Sequence, residues 1–144
     1  MVDTPDPYAT RIVPYAGADM RVLGGSPHIV FAEMSIPAGF QGPPPHIHHD
    51  FDEALYLIEG DLTMIIDRED PVEMRAGSLI FAPRGRRHTF ANPASRDARI
   101  VGTWCPGTAI AFMEEIGAAL PASGPADPEA LREIYRRHNS VIVP

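Results

Sequence analysis

PPPHIHHDFDE, residues 43–53, places three of the chain's six histidines within four positions, behind three prolines and ahead of a glutamate. Crowding histidines is costly, because protonated rings repel one another and buried rings need partners. The proline triplet is stiff and extended and leads into the segment without a helix. On an extended chain residues i and i+2 share a side, so His46 and His48 face one way while Ile47 and His49 face the other. Glu53 lies five residues past His48, far enough to follow a turn and return on the next strand. One strand cannot surround a metal ion, so a further ligand must come from elsewhere. His88, in a second segment punctuated by Gly and Pro, is the well-placed candidate. Three imidazoles and one carboxylate form a mixed N/O set suited to Fe(II), Mn, Co, Ni, Cu or Zn, with positions open for water or substrate. Taken singly, each histidine is more often a hydrogen-bonded, partly buried ring; the combination is what points to a metal.

The flanking sequence reads as many short strands. HIVFAEMSI (28–36) alternates, with Val30, Ala32, Met34 and Ile36 on one face and Glu33 and Ser35 on the other, the period of a half-buried strand. EALYLIEG (53–60) and DLTMIID (61–67) form two strands turning at Glu59-Gly60-Asp61. SLIFAP (78–83), RHTFAN (87–92) and ARIVGTW (98–104) continue the pattern between Gly and Pro breaks. Even spacing of this kind predicts an all-β sandwich or small barrel. Residues 1–26 are turn-rich, with short extended pieces around Arg11–Val13 and Met20–Leu23. After Pro106 the texture changes to helical spacing. Ala109, Phe112, Met113, Ile116 and Leu120 share a face behind Thr108 as N-cap. Asp127-Pro128-Glu129 starts a second helix whose face carries Leu131, Ile134, Tyr135 and His138, with Asn139 as a stop. The expected organisation is one domain: an N-terminal arm (1–26), a barrel (28–104) and a helical C-terminal extension (107–144).

Bulk properties limit the function classes. A chain of 144 residues is long enough for one sizeable core. The sixteen prolines and twelve glycines favour short strands and tight turns over long helices. A net charge of −7 argues against nucleic acid or an anionic membrane as the main partner. The single cysteine, Cys105, excludes an internal disulfide and fits a reducing compartment. MVDTPDPYATRIVPY lacks the basic and apolar regions of an export signal, and no apolar run is long enough to span a membrane. The expected location is the cytoplasm.

Two spaced motifs carry a resemblance to a known family. His46-Ile-His48, four residues, Glu53, six residues and Gly60 follow the pattern G-x5-H-x-H-x3/4-E-x6-G. Its opening glycine is replaced by Phe40, with Gly39 one residue early. Gly77, Pro83, Gly85, His88 and Asn92 match G-x5-P-x-G-x2-H-x3-N at every fixed position. On these residues the chain resembles the cupin superfamily, which implies a small antiparallel barrel or jelly roll, here with one or two C-terminal helices. Carried over by position, the resemblance implies His46, His48, Glu53 and His88 as ligands of a divalent transition metal. Asn92 reads as pinning a turn, and His49 as rim or outer support. His28 and His138 have no evident partner and carry no role.

A narrower likeness joins PPPHIHHDFDEALYLIEGDLTMII to the later CPGTAIAFMEEIG. Together they look like the quercetin 2,3-dioxygenase-like single-domain cupins. That likeness implies a metal-dependent dioxygenase acting on a flavonol-like or aromatic polyketide molecule, with Glu53 as general base. The alternatives are a redox-neutral cyclase, isomerase or lyase using the same ligands, or a non-catalytic small-molecule binder. Parity places Leu55, Leu57 and Phe90 beside the ligands, which suggests an apolar pocket for a flat aromatic ligand. Arg84, Arg86 and Arg87 read as a solvated turn at its edge, with carboxylate anchoring as the other option. A homodimer is expected from the exposed face of an antiparallel sheet and the N-terminal arm.

Overall fold

The structure, a computed structural model, describes residues 5–144, so the first four residues of the expected N-terminal arm lie outside the described residues. Alternating apolar residues build most of the strands. In β3 (Ile29–Ile36) the side chains of Val30, Ala32, Met34 and Ile36 are all buried, as the two-residue period requires. β5 (Asp52–Glu59) does the same with Glu53, Leu55 and Leu57, and β10 (Ala98–Cys105) with Ala98, Ile100 and Trp104.

With β1 (Arg11–Tyr15), β2 (Ala18–Ser26) and β8 (Leu79–Ala82), these strands form a six-stranded antiparallel sheet ordered β1-β2-β3-β10-β5-β8. The second sheet has five strands. They are β4 (His46–His48), β6 (Asp61–Ile66), β7 (Val72–Arg75), β9 (His88–Ala91) and β11 (Ser140–Ile142), in the order β11-β4-β9-β6-β7. The inward faces of both sheets contribute to one apolar core.

Three details differ from the sequence reading. The turn-rich N-terminal pieces are a full hairpin, because Met20 and Val22 alternate into the core and draw β1 and β2 onto the edge of β3. The C-terminal extension is not wholly helical: after its second helix the chain returns as β11 along β4. Thr108 does not cap the first helix. Gly107–Ala109 form a 3₁₀ turn, Ala109 occupies the N-cap without a side-chain bond, and Thr108 is exposed. The turn itself supplies the lead-in, tied down where the Gly107 N–H donates to the Pro27 carbonyl at 3.0 Å.

The first helix, α1 (Ile110–Ala119), buries Phe112, Met113 and Ile116. The second, α2 (Pro128–Arg137), starts as expected, with the Asp127 carboxylate accepting from the Glu129 N–H at 3.0 Å. Leu131, Ile134 and Tyr135 form its buried stripe. Among the described residues, no helix is long and apolar enough to cross a membrane.

Candidate metal centre

Sheet order brings the four sequence-derived residues together. In the five-stranded sheet β4 lies between β9 and β11, so His46 pairs across the strands with His88, and His48 with Ser140. Glu53 comes from the other sheet, where its backbone partners are Trp104 on β10 and Ala82 on β8. His46, His48, Glu53 and His88 are all buried, at 4%, 2%, 5% and 1% exposure. One ring nitrogen from each histidine lies within 4.8 Å of those of the other two. Such a spacing lets a single ion touch all three rings.

Hydrogen bonds settle which nitrogen faces inward. His46 Nδ1 bonds the Pro44 carbonyl at 2.8 Å, and His88 Nδ1 bonds the Arg86 carbonyl at 3.0 Å. A carbonyl only accepts, so both Nδ1 atoms carry hydrogen. His48 Nδ1 meets Ser140 Oγ at 2.7 Å, and that hydroxyl gives its own hydrogen to the His138 carbonyl. His48 Nδ1 is therefore also a donor. Each ring directs Nε2 to the site, and His48 Nε2 is buried without any hydrogen-bond partner. A buried lone pair of this kind is costly unless something positive meets it. The residues present fit a divalent cation.

Electrostatics agrees with that fit. Burial, then the neighbouring His88, lowers the His46 pKa to about 3. Burial, then His46, lowers that of His48 to about 2. Both rings are neutral near pH 7, the form that binds metal. Burial alone would raise the Glu53 carboxyl, but the hydrogen bond and charge of His88 lead the effects that outweigh it and lower it to about 2. Burial opposes charge on His88 as well, yet the bond to Glu53 and its charge raise that ring. His88 Nε2 and Glu53 Oε2 are 3.1 Å apart, and the proton they share lies where a cation would attract both. Glu53 Oε1 is fixed from behind by the Trp104 Nε1–H at 2.8 Å.

The remaining sequence-derived residues have other surroundings. His49 is exposed and turned away from the site, its backbone N–H donating to the Asn139 carbonyl. Asn92 is buried and bridges a turn through the Ile36 and Arg96 carbonyls and the Ala94 N–H. Arg84 pairs with Asp52, Arg86 with Asp67, and Arg87 with the Asp67 and Pro144 carbonyls, so these arginines brace the turn. Gly85, at φ +82°, lets that turn fold back so that its N–H reaches the His48 carbonyl at 2.7 Å. His28 is exposed, whereas His138 does have a partner, the Glu115 carboxylate at 2.8 Å.

Among the described residues, the pocket beside the histidines is apolar-walled but small. Phe112, Met113 and Ile116 of α1 and Tyr135 of α2 fill the space over the histidines, leaving a cavity of about 10 Å³. That is room for about one water. Sequence reasoning missed Trp104, Ser140, Phe112 and Tyr135 as parts of this site. Trp104 lies on the inward parity of its strand, which is the signal that was available for it.

Strands, helices and buried histidine cluster together define the class. The chain belongs to the cupin family: the family model described as a cupin domain matches residues 32–104. Among particular relatives, it is 31% identical over 104 residues to the tetracenomycin polyketide synthase protein TcmJ of Streptomyces glaucescens, covering 65% of this chain and 69% of that protein. It is 25% identical over 146 residues to quercetin 2,3-dioxygenase of Bacillus subtilis (strain 168), covering 92% of this chain but only 42% of the dioxygenase. Among solved structures, an RmlC-like cupin from Shewanella frigidimarina superposes with a TM-score of 0.59 at 19% identity, covering 71% of this chain and 92% of that one.

Proposed function

We propose that this chain is a metal-dependent enzyme whose divalent transition ion (Fe, Mn, Ni, Co, Cu or Zn) is held by His46, His48 and His88 through Nε2 and by Glu53. It acts on an enolisable, flavonol-like or aromatic polyketide small molecule with O2 as co-substrate. The observation that carries this reading is the set of three buried imidazoles, each with Nδ1–H committed outward and Nε2 turned to a common point. The ion, when bound, supplies Lewis acidity that lowers the pKa of a substrate hydroxyl. Glu53 is the carboxylate at that point, and Oε2 takes the hydroxyl proton while Trp104 keeps Oε1 in place. Likeness to quercetin 2,3-dioxygenase supports the oxidative reading.

A second reading, redox-neutral cyclisation at the same site, is favoured by the likeness to TcmJ, the relative with the higher identity. Oxygen separates the two. On metal-loaded protein, flavonol and aromatic polyketide turnover stops under strict anaerobiosis in the first reading. Unchanged anaerobic turnover to a product isomeric with substrate selects the second. In either case Glu53→Gln lowers turnover by about 10²-fold or more, the scale of a lost general base.

A further inference from the structure

A second cavity, of about 290 Å³, lies outside the metal centre. It is bounded by the loop leading into β4, the linker joining α1 to α2, the first turns of α2 and the end of β11. Phe40, Leu120, Leu131 and Ile142 give it an apolar floor. None of its lining residues lines the small cavity over the histidines. Phe40 belongs to the wall between the two. Its ring packs against Tyr15 and Phe90, with centroids 6.3 Å and 5.9 Å apart, and both of those line the histidine cavity.

The walls of the second cavity are already ordered. Pro44, Pro121, Pro125 and Pro128 line it, and each fixes its own φ and offers no N–H. The loop before β4 is held from β9 and the residue after it. There the Thr89 hydroxyl donates to the Pro43 carbonyl at 2.6 Å, and the Asn92 N–H to the Phe40 carbonyl at 2.8 Å. The linker is pressed onto the turn between β1 and β2, where a Cβ at Gly17 would come within 2.7 Å of the Ala122 Cβ. Ordered walls spare a ligand the cost of fixing them. The volume is at the lower end of small-molecule sites, which suits a molecule of about one ring.

Polar side chains are few and stand at the rim: Gln41, Ser123 and Arg132, all exposed. Each of them can donate a hydrogen bond. Of the described lining residues only Arg132 is charged. Its ion-pair partner is Glu129, 3.8 Å away on a side chain 91% exposed, too far for a hydrogen bond. The guanidinium fork is thus left for another acceptor, on a chain whose net charge is −7. A carboxylate is the group that matches such a fork, because it accepts two parallel N–H bonds at once.

We propose that this cavity is a second small-molecule site, which takes an apolar carboxylate of about one ring's size. The body of the ligand lies on Phe40, Leu120, Leu131 and Ile142, and its carboxylate meets Arg132, with Gln41 and Ser123 as further donors. The site stands independently of the metal-centre reading.

The test uses the full chain supplied with zinc(II), a diamagnetic ion, and follows backbone amide NMR signals as benzoate is added. Acetate supplies the charge without the ring, and benzamide the ring without the charge. Saturable benzoate shifts are expected on residues 40–42, 120–126, 131–132 and 142, with benzamide and acetate both weaker. Arg132→Gln, at an exposed helix position, should keep the amide spectrum and weaken benzoate roughly fivefold or more, the upper scale of one exposed ion pair. No saturable shift up to about 10 mM benzoate overturns the site. Shifts confined to the surroundings of His46, His48 and His88 place benzoate at the metal centre and overturn it as well. Equal affinity for benzamide, or wild-type benzoate affinity in Arg132→Gln, overturns the carboxylate assignment.

Discussion

Each histidine of the site has given one nitrogen to an acceptor outside it, and the burial of these rings sets how the protein without metal responds to acid. His46 and His48 have folded pKa values of about 3 and about 2, against an ordinary 6.5. The unfolded chain therefore takes up protons first, and the stability these rings contribute is present above about pH 6.5 and lost as the pH falls below it. His88 runs the other way: its folded pKa is raised, so its contribution is present below 6.5 and lost as the pH rises through the folded value. Glu53, lowered to about 2 from an ordinary 4.5, matters only in stronger acid, losing its contribution as the pH falls below 4.5. Between pH 6.5 and 5, His46 and His48 dominate, each weighted at about 1.4 kcal/mol per pH unit. The metal-free protein should melt at a lower temperature at pH 5 than at pH 7, and His46→Gln/His48→Gln should remove most of that fall. A melting temperature that is flat over this range for the wild type contradicts the burial of His46 and His48 as neutral rings. The candidate ligands were legible in the sequence because i, i+2 parity and fixed spacing depend on neighbours along the chain. Trp104 was not, because its bond to Glu53 depends on the register of β10 against β5, which local pattern does not encode.

At the scale of elements, β11 has the largest effect for its length. Three residues pair with β4 and place Ser140 behind His48, 92 positions away in sequence. Removing that hydroxyl leaves His48 Nδ1–H buried without its acceptor and frees the ring to turn. Ser140→Ala should keep the fold yet weaken metal binding by roughly ten- to a hundredfold, as loss of such outer partners does. Competition titration with a chromophoric chelator measures it, and wild-type affinity in the variant would remove β11 from the account of the site. A three-residue strand after a helix has no periodicity to read, so the sequence showed Asn139 as an end and not as a return. The helical stripes of α1 and α2 were legible, but not what they cover. The same apolar spacing serves a helix on any core, and only the tertiary arrangement puts Phe112 and Tyr135 over the histidines.

At the scale of the whole molecule, the described residues leave one face of the six-stranded sheet partly exposed. Phe31, Tyr56, Leu79 and Phe81 are 39%, 46%, 63% and 54% exposed. Strand register places Phe31, Thr103, Ala54 and Phe81 in one row and Glu33, Val101, Tyr56 and Leu79 in the next, so Ala54, Phe81, Tyr56, Leu79 and Val101 are neighbours on this face. Contiguous apolar surface of this kind suits a partner, and we propose a second copy of the chain in a two-fold arrangement. Light scattering at micromolar concentration should give twice the chain mass of 15.7 kDa, with Tyr56→Asp shifting it to the monomer. A wild-type mass of one chain rejects the dimer without touching the metal centre.

That centre is most directly tested by metal content. Chain prepared without a polyhistidine tag is incubated in turn with Fe(II), Mn, Co, Ni, Cu and Zn, freed of loose ions, and analysed by elemental mass spectrometry. At least one of these ions should remain at close to one per chain in the wild type and in His49→Ala, and fall to near zero in His48→Ala and His88→Ala. A wild type that retains none of the six, or a His49→Ala that loses metal as fully as His48→Ala, would contradict the account.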